Sequence, residues 1–155
     1  MTSPIRLIIA DDHSFFREGV ESVLRKQKQI QLIAQASNGK ELVDLVEKHK
    51  PDVVVTDIMM PEMDGIKATS IITKMQPALG VIALSMFDED NLVMEMLEAG
   101  ARGYLLKNAS RPELETAIST VHRRGTYFCN RSSNKLVGLM SRSSFNPFHP
   151  GQKPH

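Results

Sequence analysis

Five short apolar runs, each followed by a segment whose apolar residues recur at helical spacing, constrain this chain more than any other feature of its sequence. The runs are IRLIIA, QLIAQA, DVVVTD, GVIALS and RGYLLK. Three consecutive valines in the third fit a strand covered on both faces. After the first run, Phe16, Val20, Val23 and Leu24 recur at helical spacing, with Ser14 expected as the N-cap. The second helix opens at the turn SNG, carries Leu42, Leu45 and Val46, and ends at Pro51. IKATSIITKM, following a loop with Pro61 and Gly65, reads as the third helix. NLVMEMLEAG, with Gly100 beyond its end, and RPELETAISTVHRR, with Pro112 in its first turn, are the last two. Strand and helix alternating five times imply an α/β fold, a mainly parallel sheet with helices on both faces.

In such folds ligands bind outside the carboxyl ends of the strands, where strand order reverses. The residues that finish the runs therefore matter most. They are Asp11 and Asp12 after the first, Asp57 after the third, Ser85 after the fourth and Lys107 after the fifth. The second ends in Ala36 and Ser37, with no charged group. Three carboxylates converging at one sheet edge make an oxygen-rich pocket suited to a hard divalent cation such as Mg²⁺. Such a cation makes the adjacent pair Asp11-Asp12 tolerable. Lys107 adds a fixed positive charge and Ser85 a hydroxyl, which together suit a phosphoryl group. A carboxylate can itself attack phosphorus to give an aspartyl-phosphate, and Asp57 is the candidate nucleophile.

Asp11-Asp12, TDIMMPEMDG, ALS and GYLLK, in this order, resemble the receiver domain of two-component response regulators. ADDHSFFREGV and EAGARGYLLKNAS resemble especially the NarL/FixJ (LuxR-type) subfamily, whose receivers precede a helix-turn-helix DNA-binding domain. The likeness runs from about Ile5 to Arg124. It implies a doubly wound, flavodoxin-like sheet of five parallel strands in the order 2-1-3-4-5. It implies also that Asp57 accepts a phosphoryl group from a sensor histidine kinase. Asp12, Asp57 and the Met59 backbone carbonyl would ligate Mg²⁺, and Asp11 would do so through water. Lys107 would pair with the phosphorylated carboxylate and Ser85 would move to hydrogen-bond it. Tyr104 would be the switch that turns inward when Ser85 moves. The expected role is a phosphoacceptor signalling domain with self-catalysed phosphotransfer and autodephosphorylation, rather than an enzyme acting on a separate substrate.

Several positions depart from the commonest receiver pattern. Asn108 follows the lysine where many receivers have proline, and Met86 follows Ser85 where a small alanine is common. Met59 and Phe87 stand where the family tunes hydrolysis of the phosphoryl group, and neither has a polar group to orient an attacking water. Slow autodephosphorylation is expected.

Charge divides the chain unevenly. All 18 acidic residues lie at or before Glu115, with 13 of the 19 basic ones, whereas Arg123, Arg124, Arg131, Lys135, Arg142 and Lys153 stand in a tail without acids. Residues 1–124 are read as the receiver and 125–155 as a basic linker. A short helix near 133–140 is expected there, then disorder, leading to an output domain that this sequence does not include. DNA contact would come only through that domain. The single cysteine, Cys129, fits a reducing cytosol, and no run is long or apolar enough for a membrane span or a secretory signal. A histidine kinase and a second copy of the chain, through the first and fifth helices or the switch face, are the expected partners.

The bland readings are a turn or cap role for each aspartate and a solvated charge for Lys107. Met94 and Met96 read as helix packing. His13 has no second His or Cys at ligand spacing and reads as a surface residue; His49, His122, His149 and His155 are given no site. A haloacid dehalogenase-type phosphatase needs an acid two residues after its nucleophile, where this chain has Met59. A dinucleotide-binding module needs a glycine-rich loop after the first strand, where ADDHSFF stands. A receiver that signals without phosphate is the third alternative, disfavoured by the complete charged set.

Overall fold

The computed structural model describes residues 3–86 and 90–128. Phe87, Cys129 and the expected helix at 133–140 lie outside the described residues. The elements follow in the order β1 (Ile5–Ala10), α1 (Ser14–Leu24), β2 (Ile30–Ala36), α2 (Gly39–His49), β3 (Val53–Asp57), α3 (Gly65–Met75), β4 (Gly80–Ser85), α4 (Asp90–Ala99), β5 (Gly103–Leu106), α5 (Arg111–His122) and β6 (Tyr127–Phe128).

All strands pair in parallel, in the order β2-β1-β3-β4-β5-β6. The described sheet thus has six strands, not five. The sixth is two residues long, pairs Gly103 with Tyr127 and Tyr104 with Phe128, and lies past Arg124, where a tail was expected. Its edge position needs no apolar run, which is why the sequence pattern missed it.

Burial explains why the first five strands were legible. Val53, Val54 and Val55 are at most 1% exposed, and Leu7, Ile8 and Ile9 are fully buried, because helices cover both faces of the central strands. On one face α2, α3 and α4 pack against one another in sequence. On the other, α1 and α5 flank a cleft of about 320 Å³ whose floor is Val55, Leu84 and Leu105.

Local chemistry fixes the helix starts. Asn38 accepts from the Glu41 amide to cap α2, and Asp64 accepts from the Lys67 amide to cap α3. A capping box between Ser110 and Glu113 opens α5, with Pro112 in the first turn as expected. At α1 the cap is His13, one residue earlier than Ser14, and it makes no side-chain capping bond. Gly65 is the first residue of α3 rather than part of the loop.

Candidate functional site

Because every strand runs the same way, Asp11, Asp57, Ser85 and Lys107 arrive at one edge of the sheet. Asp11 follows β1 directly, its amide donating to Ala36 O at 3.0 Å, and is fully buried. Asp57 ends β3 and is 7% exposed. Ser85 ends β4, also buried, and its carbonyl accepts from the Lys107 amide at 2.8 Å.

The lysine unites the two buried acids. Its Nζ lies 2.7 Å from Asp11 Oδ2 and donates a hydrogen bond to Asp57 Oδ2 at 3.1 Å. Its ammonium also stands 5.2 Å from the centre of the Phe16 ring, a cation–π contact at the top of the α1/α5 cleft. Asp12 is more exposed, and its carboxylate belongs to the same group.

The loop after β3 is held by backbone contacts at glycines. The Gly65 amide donates to Ile58 O at 2.7 Å and the Gly39 amide to Met63 O at 2.9 Å. A Cβ at Gly65 would fall 2.1 Å from the Asp57 carbonyl oxygen, so only glycine permits this approach. Met59, in that loop, has a half-exposed side chain, and its amide faces the Asp57 carboxylate.

Burial raises the Asp57 pKa above its ordinary 3.8. The Lys107 hydrogen bond opposes this, the Asp11 charge adds to it, and the Lys107 charge and Met59 amide offset only part. Burial by itself would lower the Lys107 pKa, but its contacts with Asp11 and Asp57 outweigh that and raise it. The pocket therefore holds a permanently charged ammonium beside carboxylates that have too few counter-charges.

The donor set fits a small divalent cation. One ligand atom each from Asp11, Asp12, His13 and Asp57 lie within 4.8 Å of one another. Trans ligands about 2.1 Å from an octahedral ion stand about 4.2 Å apart. Asp11 Oδ2 is buried and, despite the nearby ammonium, receives no aligned hydrogen bond.

His13 is the residue sequence reasoning missed. Its ring is 60% exposed, as a surface reading expects, yet Nδ1 lies 3.0 Å from Asp11 Oδ1 and 3.3 Å from Asp12 Oδ1. The preceding carboxylates, rather than a second His or Cys at ligand spacing, bring it into the group. Tyr104, on β5, is 1% exposed and already lies inward. Met96 is fully buried, with Thr69 Oγ1 3.8 Å from its sulfur, in keeping with its packing role.

Residues 7–119 match the sequence profile of the response regulator receiver domain. The chain belongs to the response regulator receiver family. Among the relatives of this receiver, the transcriptional regulatory protein DegU of Brevibacillus brevis is 36% identical over 133 residues, 86% of this chain and 56% of that protein. LnrK of Bacillus subtilis is 40% identical over 121 residues, 78% of this chain and 55% of that protein. The signal receiver domain of Mycobacterium tuberculosis NarL superposes with a TM-score of 0.75 at 31% identity, covering 79% of this chain and 98% of that one. These are NarL/DegU-type regulators, in line with the resemblance read from the motifs. The receiver spans a little over half the length of the curated relatives it matches. No helix among the described residues is long and apolar enough to cross a membrane.

Proposed function

We propose that this receiver is a phosphoacceptor switch in which Asp57 takes a phosphoryl group from a phosphohistidine of a sensor histidine kinase. The observation that carries the reading is the shared ammonium: Lys107 Nζ lies 2.7 Å from Asp11 and 3.1 Å from Asp57, at the mouth of a parallel sheet. Asp57 attacks phosphorus with a carboxylate oxygen, the bond to the donor imidazole nitrogen breaks with its electron pair staying on nitrogen, and that nitrogen takes a proton from solvent so that the donor leaves as neutral imidazole. Lys107 holds its positive charge against the new phosphoryl oxygens, and the Ser85 hydroxyl donates to one of them.

A divalent cation such as Mg²⁺ would be held by Asp11, Asp12, Asp57 and the Met59 carbonyl, where it supplies charge neutralisation for the transferring group. Phosphorylation adds close to two negative charges to an acidic pocket, so the transfer depends on such neutralisation. Tyr104 then reports the state. Its inward position here is the arrangement the phosphorylated form would favour, with the alternative populated when Ser85 is disengaged. The output would be a DNA-binding domain joined through the segment that follows α5 and β6, and the kinase and a second receiver are the partners of this state.

The test is exposure of the full chain to acetyl phosphate, read by intact mass and peptide mapping. A phosphoryl adduct on the peptide containing Asp57, formed with Mg²⁺ and absent in chelator, is the expected result. A metal-independent adduct, or one mapping elsewhere, overturns the reading.

The lifetime of that adduct is set at the rim. The Met59 side chain is half exposed beside the acceptor and offers no hydrogen-bonding group to a hydrolytic water. Met59→Asn is expected to speed loss of the phosphoryl group by about tenfold, short of the roughly 10²–10⁴-fold of a positioned general base because an amide orients water without taking its proton. An unchanged decay rate would remove Met59 from the account.

A further inference from the structure

His13 follows the acidic pair, caps α1 with its backbone alone, and leaves its imidazole unused by the helix. Its own amide donates to Asp11 Oδ1 at 2.9 Å, which fixes the approach of the ring. Nδ1 then sits 3.0 Å from Asp11 Oδ1, 3.3 Å from Asp12 Oδ1 and 3.4 Å from Lys107 Nζ.

No protonation state satisfies all three neighbours. With a proton on Nδ1, the ring donates to the carboxylates but turns a hydrogen toward an ammonium that has only hydrogens to offer. With a lone pair on Nδ1, it accepts from Lys107 but faces two carboxylate oxygens. A cation bound among Nδ1 and the carboxylates removes the conflict, since each of these atoms then presents a lone pair to the metal.

We propose that His13 is a nitrogen ligand of the pocket and biases it toward first-row divalent ions that take imidazole, such as Ni²⁺ and Zn²⁺, over Mg²⁺. This rests on the pocket being a metal site, as read above. Mg²⁺ selects oxygen ligands and gives up water reluctantly, and Mn²⁺ shares the oxygen preference, whereas the later first-row ions favour imidazole. Three carboxylates alone do not distinguish the ions strongly; adding the imidazole does. The buried Asp11 Oδ2 lies against the Lys107 ammonium without an aligned hydrogen bond, which leaves it a lone pair to offer a cation.

Pulsed electron paramagnetic resonance of the full chain loaded with Mn²⁺ reads the ligand directly. The wild type is expected to show a nitrogen hyperfine coupling that disappears in both His13→Ala and His13→Gln. Ni²⁺ affinity should fall in these variants by at least the about tenfold that loss of an outer-shell partner costs a metal site, with Mg²⁺ affinity, measured by competition, nearly unchanged. Mn²⁺ bound without nitrogen coupling, but lost in Asp12→Ala, overturns the role of His13 and leaves the metal pocket standing. No binding by the wild type, or binding indifferent to Asp12→Ala, overturns both. The variant residue is mostly exposed and makes no capping bond, so circular dichroism should report an intact fold in each case.

Discussion

Asp57→Asn protein treated with acetyl phosphate and a divalent ion stays unphosphorylated, and near neutral pH it is more stable than the wild type. The first half follows from the proposed role of Asp57 as nucleophile: an amide cannot form the acyl phosphate, and the adduct should fall below detection by intact mass. The second half follows from the raised pKa of Asp57, whose burial outweighs the help of Lys107. A carboxyl whose pKa is higher folded than unfolded binds more protons in the native state between the two values. Stability therefore falls as pH rises from the ordinary 3.8 through the raised value, and above that the loss is complete. Asparagine has no such charge to bury. The stability gap should be absent below 3.8, widen through the window and level off above it. Thermal melts across this pH range, in chelator, check it. A gap that is flat with pH would show that ionisation of Asp57 is not its source, and a divalent ion should narrow the gap by stabilising the wild type alone.

Gly65→Ala should lower the melting temperature by roughly 3–12 °C. The added Cβ would stand 2.1 Å from the carbonyl oxygen of Asp57 and 3.1 Å from Ile58 Cα, both backbone atoms with little freedom to yield. Relief requires the loop to move away from β3, breaking the Gly65 amide bond to Ile58 O. Forced overpacking of this kind costs about 1–3 kcal/mol, and about 3–4 °C per kcal/mol is usual for a domain of this size. The same shift displaces the acceptor carboxylate from Lys107. Acetyl phosphate labelling should slow even in the folded fraction, and labelling at the wild-type rate would mean that the loop accommodates the methyl group without disturbing Asp57.

Much of this arrangement is legible in the sequence. Val53 to Val55 announced a strand buried on both faces because parallel central strands lose the alternation that marks half-exposed ones. Once five such runs alternated with helices, direction alone sent Asp11, Asp57, Ser85 and Lys107 to one edge. The misses share a cause. Tyr127–Phe128 is too short to carry a period and exists as a strand only through pairing with Gly103 and Tyr104. Gly65 looked like loop punctuation because its purpose is an approach to Asp57, eight positions away, that spacing cannot express. His13 has no second histidine at ligand spacing to mark it, and the turn that returns its amide to Asp11 Oδ1 shows only in the fold. The inward position of Tyr104 is likewise a packing result, since an aromatic in an outer strand reads the same whether covered or not.

The parallel pairing of β6 also determines where the described chain stops. A strand running antiparallel to β5 would end at the amino edge of the sheet, remote from the carboxylates. As it is, Phe128 sits beside Tyr104 and heads toward the edge where Asp57 and Lys107 meet. The last backbone hydrogen bonds of the sheet are thus made to the strand that carries both Tyr104 and, at its end, the lysine. A movement of β5 at Tyr104 or Lys107 would therefore be felt first by β6, the last strand of the described residues.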